Sequence, residues 1–388
     1  MDRFAAAKIR SFGTSVFAEM SRLAIEHQAV NLGQGFPDFA GPDFVKEAAK
    51  RAIDADMNQY AVSHGQPRLR TAIASEFGSR FDLDIDPDRE VTVASGATEV
   101  IFDAIQAFIG PGDELVAFEP FYDSYAAATA LAGGSFRPVR LSPPDWSFDP
   151  DAFRAAVTDR TRVILLNTPH NPTGKVFTRA ELEYIADFAR ERDLLVLSDE
   201  VYDRILFSNA VHIPIATLPE MWERTLTINS TGKTFSMTGW KVGYAIGPAS
   251  LNAAVRLVHQ FVTFAGATPL QEAMADAIAH AGTSAYYHEL ARAYDGRRTL
   301  LTDALTDAGL PLLPIAGSYF LMADIADRGF TSDVEFCRWL VATAGVVAVP
   351  PSAFYVDPVS APLLARFCFA KSNETLAEAG RRLLTISV

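Results

Sequence analysis

Six short β-rich runs separated by long helical stretches constrain this chain more than any other feature: VTVA (91–94), ELVAF (114–118), RVILL (162–166), LLVLS (194–198), TLTIN (225–229) and KVGYAI (241–246). Runs of this kind belong to strands covered on both faces. With helical crossovers between them they predict an α/β fold, a mainly parallel sheet covered by helices on both sides. In such sheets ligands gather outside the carboxyl ends of the strands, so the residues following each run are the first place to look for chemistry.

Elsewhere the pattern differs. Residues 14–27 have helical spacing at Val16, Phe17, Met20, Leu23 and Ala24, and NLGQGFPDFAGP reads as loop. Beyond about residue 280, YYHELARAYDGRRTLLTDALTDAGL reads as one long helix. It is followed by GSYFLMADI, VVAVPPSAF and RFCFA as strands, then a terminal helix. We expect residues 1–40 to be an N-terminal arm that joins residues 282–388 in a smaller α+β domain, with residues 41–281 forming the larger one. A chain of 388 residues is long enough for two cores.

The formal charge of −13 disfavours nucleic acid or an anionic membrane as partner. No apolar run approaches the roughly 18 residues of a span, and the N-terminus lacks the apolar core of a signal peptide. Cys337 and Cys368 have neither CxxC spacing nor a secretory context, so they read as reduced core thiols in a cytoplasmic protein. The seven histidines show no HExxH spacing, and no metal site is expected.

After VTVA comes Ser95-Gly96-Ala97-Thr98-Glu99 and then a helix, whose first N–H groups can face a phosphate or simply start the helix. Neither the GxGxxG of a dinucleotide fold nor the lysine of a P-loop is present. EPFYDSY offers Tyr122 and Tyr125, placed either to stack on a flat ring or to fill the core. NTPHNPTGKVF presents Asn167 and Asn171 on a backbone held by two prolines. LLVLS ends in Asp199-Glu200-Val201-Tyr202, a carboxylate that needs a donor or cation if buried, or that caps the next helix. TLTIN runs into 230-STGKTFSMTGWKVGY-244 with Ser230, Lys233 and Lys241. Each is ambiguous alone. Together a phosphate nest, a ring platform, an amide, a partnered carboxylate and an amine suit a flat, phosphorylated, nitrogen-containing aldehyde.

In this order, from NLGQGFPDF through SGATE, EPFYDSY, NTPHNPTGK, SDEVY, STGKTFSMTGWKVGY and GSYFLMADI to RFCFAKSNETL, the chain resembles the fold-type I pyridoxal-phosphate aminotransferases of class I. It looks most like the branch of kynurenine aminotransferase and glutamine transaminase K, with methionine and N-succinyldiaminopimelate aminotransferases also similar. The resemblance implies that Lys233 forms a Schiff base with pyridoxal 5'-phosphate. Asp199 would pair with the pyridine nitrogen, Tyr202 and Asn171 with the ring's 3-oxygen, and Tyr122 would stack on the ring. Gly96, the amides of Ala97 and Thr98, Ser230 and Lys241 would hold the phosphate. Tyr60 would reach the phosphate of a neighbouring subunit, which implies a homodimer with shared active sites. Arg366 would clamp the substrate α-carboxylate, with Gly35 of the arm approaching it.

The implied activity moves the amino group of an L-amino acid to a 2-oxo acid by ping-pong chemistry. Lys241 is expected to help keep Lys233 reactive. The resemblance places the substrate side chain near Phe17, Tyr125 and Phe264, three aromatic residues that favour neutral, sulfur-containing or aromatic side chains. The chain departs from the mammalian members here: Phe17 stands where they carry tryptophan, and FAGATP replaces a histidine-containing segment. Alternatives on the same fold are a cysteine-conjugate β-lyase, an N-succinyldiaminopimelate aminotransferase and a non-catalytic cofactor-binding regulator. The regulator usually carries an added helix-turn-helix domain.

Overall fold

The computed structural model describes residues 4, 6–9, 12–13, 16–207 and 209–386. All six runs are strands of one eight-stranded sheet. Thr161–Asn167 lies at its middle, flanked by Glu114–Glu119 on one side and Leu195–Asp199 on the other; Thr225–Ser230 follows, all four parallel. Val242–Ile246 runs antiparallel between Thr225–Ser230 and Val91–Ser95.

Side chains alternate between the two faces of the sheet, and both faces are covered. Leu115, Ala117, Val163 and Leu165 face a core shared with Val100, Ile101 and Ile105 of the helix Ala97–Phe108. Their neighbours Val116, Phe118, Ile164 and Leu166 face the other side, packed with Leu182 and Ile185 of the helix Arg179–Glu191.

Within the strands, two features depart from the sequence reading, and a third concerns the N-terminal arm. The strand Ser135–Ser142 pairs in parallel with Glu114–Glu119, although Pro138 and two arginines mask it in the sequence. It carries Pro138 because its outer side is bonded only at Leu141 and Ser142, so the missing N–H breaks no ladder. VVAVPPSAF is a strand only at Val346–Val347; Pro350 and Pro351 turn the backbone into a short 3-10 helix, Pro351–Phe354.

The expected N-terminal helix spans Val16–Glu26; the start at residue 14 lies outside the described residues. Asn31, expected in a loop, is in a two-residue strand: Val30 and Asn31 pair in parallel with Val346 and Val347. Met20, Ala24 and Leu32 share one core with Leu290, Leu301, Phe336, Phe367 and Leu376, so both ends of the chain bury apolar surface together. The long helix is Tyr286–Asp307, and Phe320–Asp324 pairs antiparallel with Leu364–Cys368. Among the described residues no helix is long and apolar enough to cross a membrane.

Candidate active site

A cavity of about 310 Å³ opens at the carboxyl ends of the sheet strands, and the loop after Leu32 and the strand holding Arg366 close its far side. Fourteen of the sixteen residues singled out from the sequence line it: Phe17, Gly35, Gly96, Ala97, Thr98, Tyr122, Tyr125, Asn171, Asp199, Tyr202, Ser230, Lys233, Lys241 and Arg366. Tyr60 and Phe264 do not. They lie on the surface, 86% and 49% exposed, with their rings edge to face at 5.4 Å.

One end of the cavity is a cup for an anion. Gly96 leaves the strand Val91–Ser95 at φ +80 and starts the helix Ala97–Phe108 with no side chain capping it. As the first two helical residues, Ala97 and Thr98 have no preceding carbonyl to bond, so their N–H groups point outward with the positive helix end. A Cβ on Gly96 would meet Lys241 Nζ at 3.1 Å, which places that ammonium beside the cup. Ser230 completes it: its hydroxyl accepts from Gly232 N at 3.2 Å as the cap of a one-turn helix, Thr231–Thr234.

Lys233 sits on that one turn, with Nζ 3.4 Å from the Gly35 carbonyl and facing the rings of Tyr202 and Tyr319 at 5.8 and 5.6 Å. Burial pushes its pKa down to about 8. Lys241 and Arg366 act in the same direction, while Cys368 and Asp199 oppose them. The sequence reading expected Lys241 to help; it acts in that direction, and desolvation is the larger cause.

Asp199 ends the strand Leu195–Asp199, 4% exposed. Burial raises its pKa to about 6, held in check by the Tyr125 hydroxyl, which donates to Oδ2 at 2.5 Å, and by Val201 N at 3.4 Å. Tyr125, expected beside the substrate side chain, thus has its hydroxyl committed to Asp199. Asn167 is a second residue the sequence left without a role. Its amide donates to the Asp199 carbonyl at 2.9 Å and its oxygen accepts from Asn171 N at 2.8 Å, fixing both site residues to one strand end.

Arg366 is 1% exposed, and burial lowers its pKa to about 10. Nη1 donates to Asn171 Oδ1 at 3.0 Å and Nη2 to the Gly33 carbonyl at 2.8 Å, while the guanidinium lies over Phe320 at 4.2 Å. Nε is buried without a partner. Gln34, Phe36, Ile101, Thr238 and Phe320 also line the cavity and carried no sequence signal beyond their places in loops and strands.

The chemistry of these groups fits pyridoxal phosphate. A helix end with free N–H groups and an ammonium suits a phosphate. A buried carboxylate, hydrogen-bonded to no cationic side chain, suits a protonated ring nitrogen, and a depressed amine suits a carbonyl carbon. Sheet and cavity therefore define an α/β pyridoxal-phosphate-dependent enzyme. Comparison with known proteins agrees: residues 27–383 match the family model for aminotransferase class I and II, and the chain belongs to that family of pyridoxal-phosphate-dependent aminotransferases.

Relatives include a methionine aminotransferase of Escherichia coli, 42% identical over 377 residues and 97% of each chain. Human kynurenine–oxoglutarate transaminase 1 is 40% identical, over 95% of this chain and 94% of its own. The solved N-succinyldiaminopimelate aminotransferase of Mycobacterium tuberculosis superposes with a TM-score of 0.94 at 43% identity, covering 98% of this chain and 100% of that one. Three differently named specificities at nearly equal identity mean that overall likeness does not select a substrate.

Proposed function

We propose that this aminotransferase takes L-amino acids with neutral, sulfur-containing or aromatic side chains as donors and passes the amino group to a 2-oxo acid. The observation that carries this reading is the make-up of the cavity wall. Among the described residues its cations are Lys233, Lys241 and Arg366, each with a role at the reacting end, and none of them is left to face a distal carboxylate. Phe17, Phe36, Ile101 and Phe320 supply apolar surface instead. An N-succinyldiaminopimelate donor, with anions at its far end, finds less here.

In this reading the bound cofactor supplies an electron sink for the substrate's α-carbon electrons. Lys233 Nζ, its pKa lowered to about 8 chiefly by desolvation, would hold the cofactor at its carbonyl carbon and would accept the proton from the substrate α-carbon. Asp199 would hold the proton on the ring nitrogen, with the Tyr125 hydroxyl favouring its ionised form. Tyr202 and Asn171 would hydrogen-bond the ring's 3-oxygen, and Tyr122 would stack on the ring. Gly96, Ala97, Thr98, Ser230 and Lys241 would hold the phosphate. Arg366, already stacked and half bonded, orients the substrate carboxylate with its planar fork beside Gly35.

We further infer a cytoplasmic homodimer with shared active sites. Tyr60 and Phe264 lie outside their own chain's cavity, and Leu257, Phe261, Val262 and Val62 are exposed apolar neighbours in the same two segments, a surface suited to a second copy. Within each chain, residues 1–40 and 282–388 would form the small domain and 41–281 the large one, a division supported by the core common to both termini.

A panel of amino donors against several 2-oxo acids, scored by kcat/KM, tests the specificity. Preference for methionine-like and aromatic donors is expected, and a preference for acidic or N-succinylated donors would refute it. Pyruvate and ammonia released without an acceptor would identify β-lyase chemistry. Lys233→Ala is expected to abolish transamination; full turnover in that variant would refute its role.

A further inference from the structure

Behind the phosphate cup, away from the cavity, lies a buried ionic cluster to which the mechanism gives no work. His259, on the helix Ala249–Val262, is 0% exposed. Its Nδ1 lies 2.8 Å from Glu99 Oε1 and 3.7 Å from Asp103 Oδ2, and its Nε2 lies 2.8 Å from the Ser63 carbonyl. A carbonyl can only accept, so Nε2 carries a proton. Glu99 already accepts from the Thr263 hydroxyl at 2.6 Å and from the Ser95 N–H, which marks it as ionised, so Nδ1 carries one too. The ring is an imidazolium with both nitrogens committed as donors, leaving no lone pair for a metal. Burial works against this charge, yet the nearby carboxylates of Asp103 and Glu99 outweigh it and push the pKa of His259 up.

The partners of this ring are what give it a consequence. Glu99 is the third residue of the helix that opens the phosphate cup, and its carboxylate holds Ser95, the last residue before Gly96. Ser63 belongs to the segment that begins at Tyr60. Thr263, bonded to the same Glu99, immediately precedes Phe264, the ring that packs on Tyr60. Thr268 fastens the other side of that segment, donating to the Gln59 carbonyl at 2.5 Å. One cation therefore pins the phosphate cup to the surface segment bearing Tyr60.

We propose that His259 is a positioning residue for the cofactor phosphate. Through Glu99 it fixes the cup of its own chain, and through Ser63 it fixes Tyr60. This second half rests on the reading that Tyr60 serves the phosphate held by a partner subunit, so each His259 would link the two phosphate sites of a dimer.

The test uses the full-length protein with His259→Leu and, as the milder change, His259→Gln, each checked for folding by circular dichroism and for dimer by sedimentation. Each is titrated with pyridoxal phosphate and with pyridoxal, followed by absorbance. A general loss of structure weakens both ligands alike. The proposal expects pyridoxal phosphate to bind about tenfold more weakly while pyridoxal changes less than twofold, so that the preference for the phosphate falls. An unchanged ratio in a folded His259→Gln protein overturns it.

Tyr60→Phe and the double variant settle the link. If His259 acts partly through Tyr60, the combined loss is smaller than the product of the single losses; simple multiplication overturns the coupling. Tyr60→Phe with an undiminished phosphate preference refutes the shared-site reading alone, because the effect of His259 on its own cup is read from the single variant.

Discussion

Replacing Tyr125 by phenylalanine removes one oxygen and leaves the ring's packing on Tyr122 in place, at 5.6 Å and nearly perpendicular. The lost group is the hydroxyl that donates to Asp199 at 2.5 Å in a buried site. A hydrogen bond to a charged group contributes about 1.5–3 kcal/mol. At about 1.4 kcal/mol per pH unit, its loss raises the Asp199 pKa by roughly one to two units. Burial among the protein's own groups has already raised the carboxyl to about 6, so in the variant Asp199 is less firmly ionised at neutral pH. A neutral carboxylic acid cannot stabilise the proton on the cofactor's ring nitrogen, and the same free energy taken from the transition state lowers kcat by about 10- to 100-fold. The sign of the pH dependence follows: an acid whose pKa is raised ionises only above that higher value, so the variant recovers activity as pH rises while the wild type has levelled off. The assay is kcat from pH 6 to 9 at saturating cofactor, with cofactor occupancy measured separately. A Tyr125→Phe enzyme with wild-type kcat and an unshifted pH profile would show that the hydroxyl does not control Asp199.

Two further changes test the cations. Lys241 lowers the pKa of Lys233, although less than burial does. Lys241→Gln should therefore move the midpoint for capture of pyridoxal at Lys233 upward in pH, and it should also reduce the preference for the phosphorylated ligand; a midpoint that falls or stays put contradicts this. Arg366→Lys loses the fork that bonds Asn171 and Gly33. It should raise KM for amino donors by about 100-fold, with a smaller change in kcat, measured in steady-state kinetics. Equal losses in kcat and kcat/KM would instead place the interaction in the transition state alone.

What could be read from the sequence followed from burial. Strands covered on both faces are rich in apolar and β-branched residues, so VTVA, ELVAF, RVILL, LLVLS and TLTIN stood out even where threonines interrupt them, and the polar residues at their ends pointed to the site. The strand Ser135–Ser142 escaped because it lies near the sheet edge, where Pro138 and charged residues are tolerated. The work of Tyr125 was hidden for another reason. Its partner is 74 residues away, and a tyrosine inside a helix looks the same whether it fills a core or holds a carboxylate. His259 and Glu99 are 160 residues apart, and a lone histidine with no ligand spacing gave nothing to distinguish it from a core residue.

The two lysines eight positions apart show why residue type and strand-end position were not sufficient to assign a cause. Lys233 and Lys241 follow the same strand, yet the backbone treats them differently. Lys233 occupies a one-turn helix that turns its amine into the walls formed by Tyr202 and Tyr319, and desolvation there favours the neutral nucleophile. Lys241 is held at φ +54 just before the strand Val242–Ile246, more exposed, with its ammonium beside Gly96. The difference in reactivity comes from where each amine is placed relative to water, and the proximity of the second charge adds to it. An exchange of roles would require Lys241, exposed and held at φ +54 at the cup's edge, to take the walled position that Lys233 occupies.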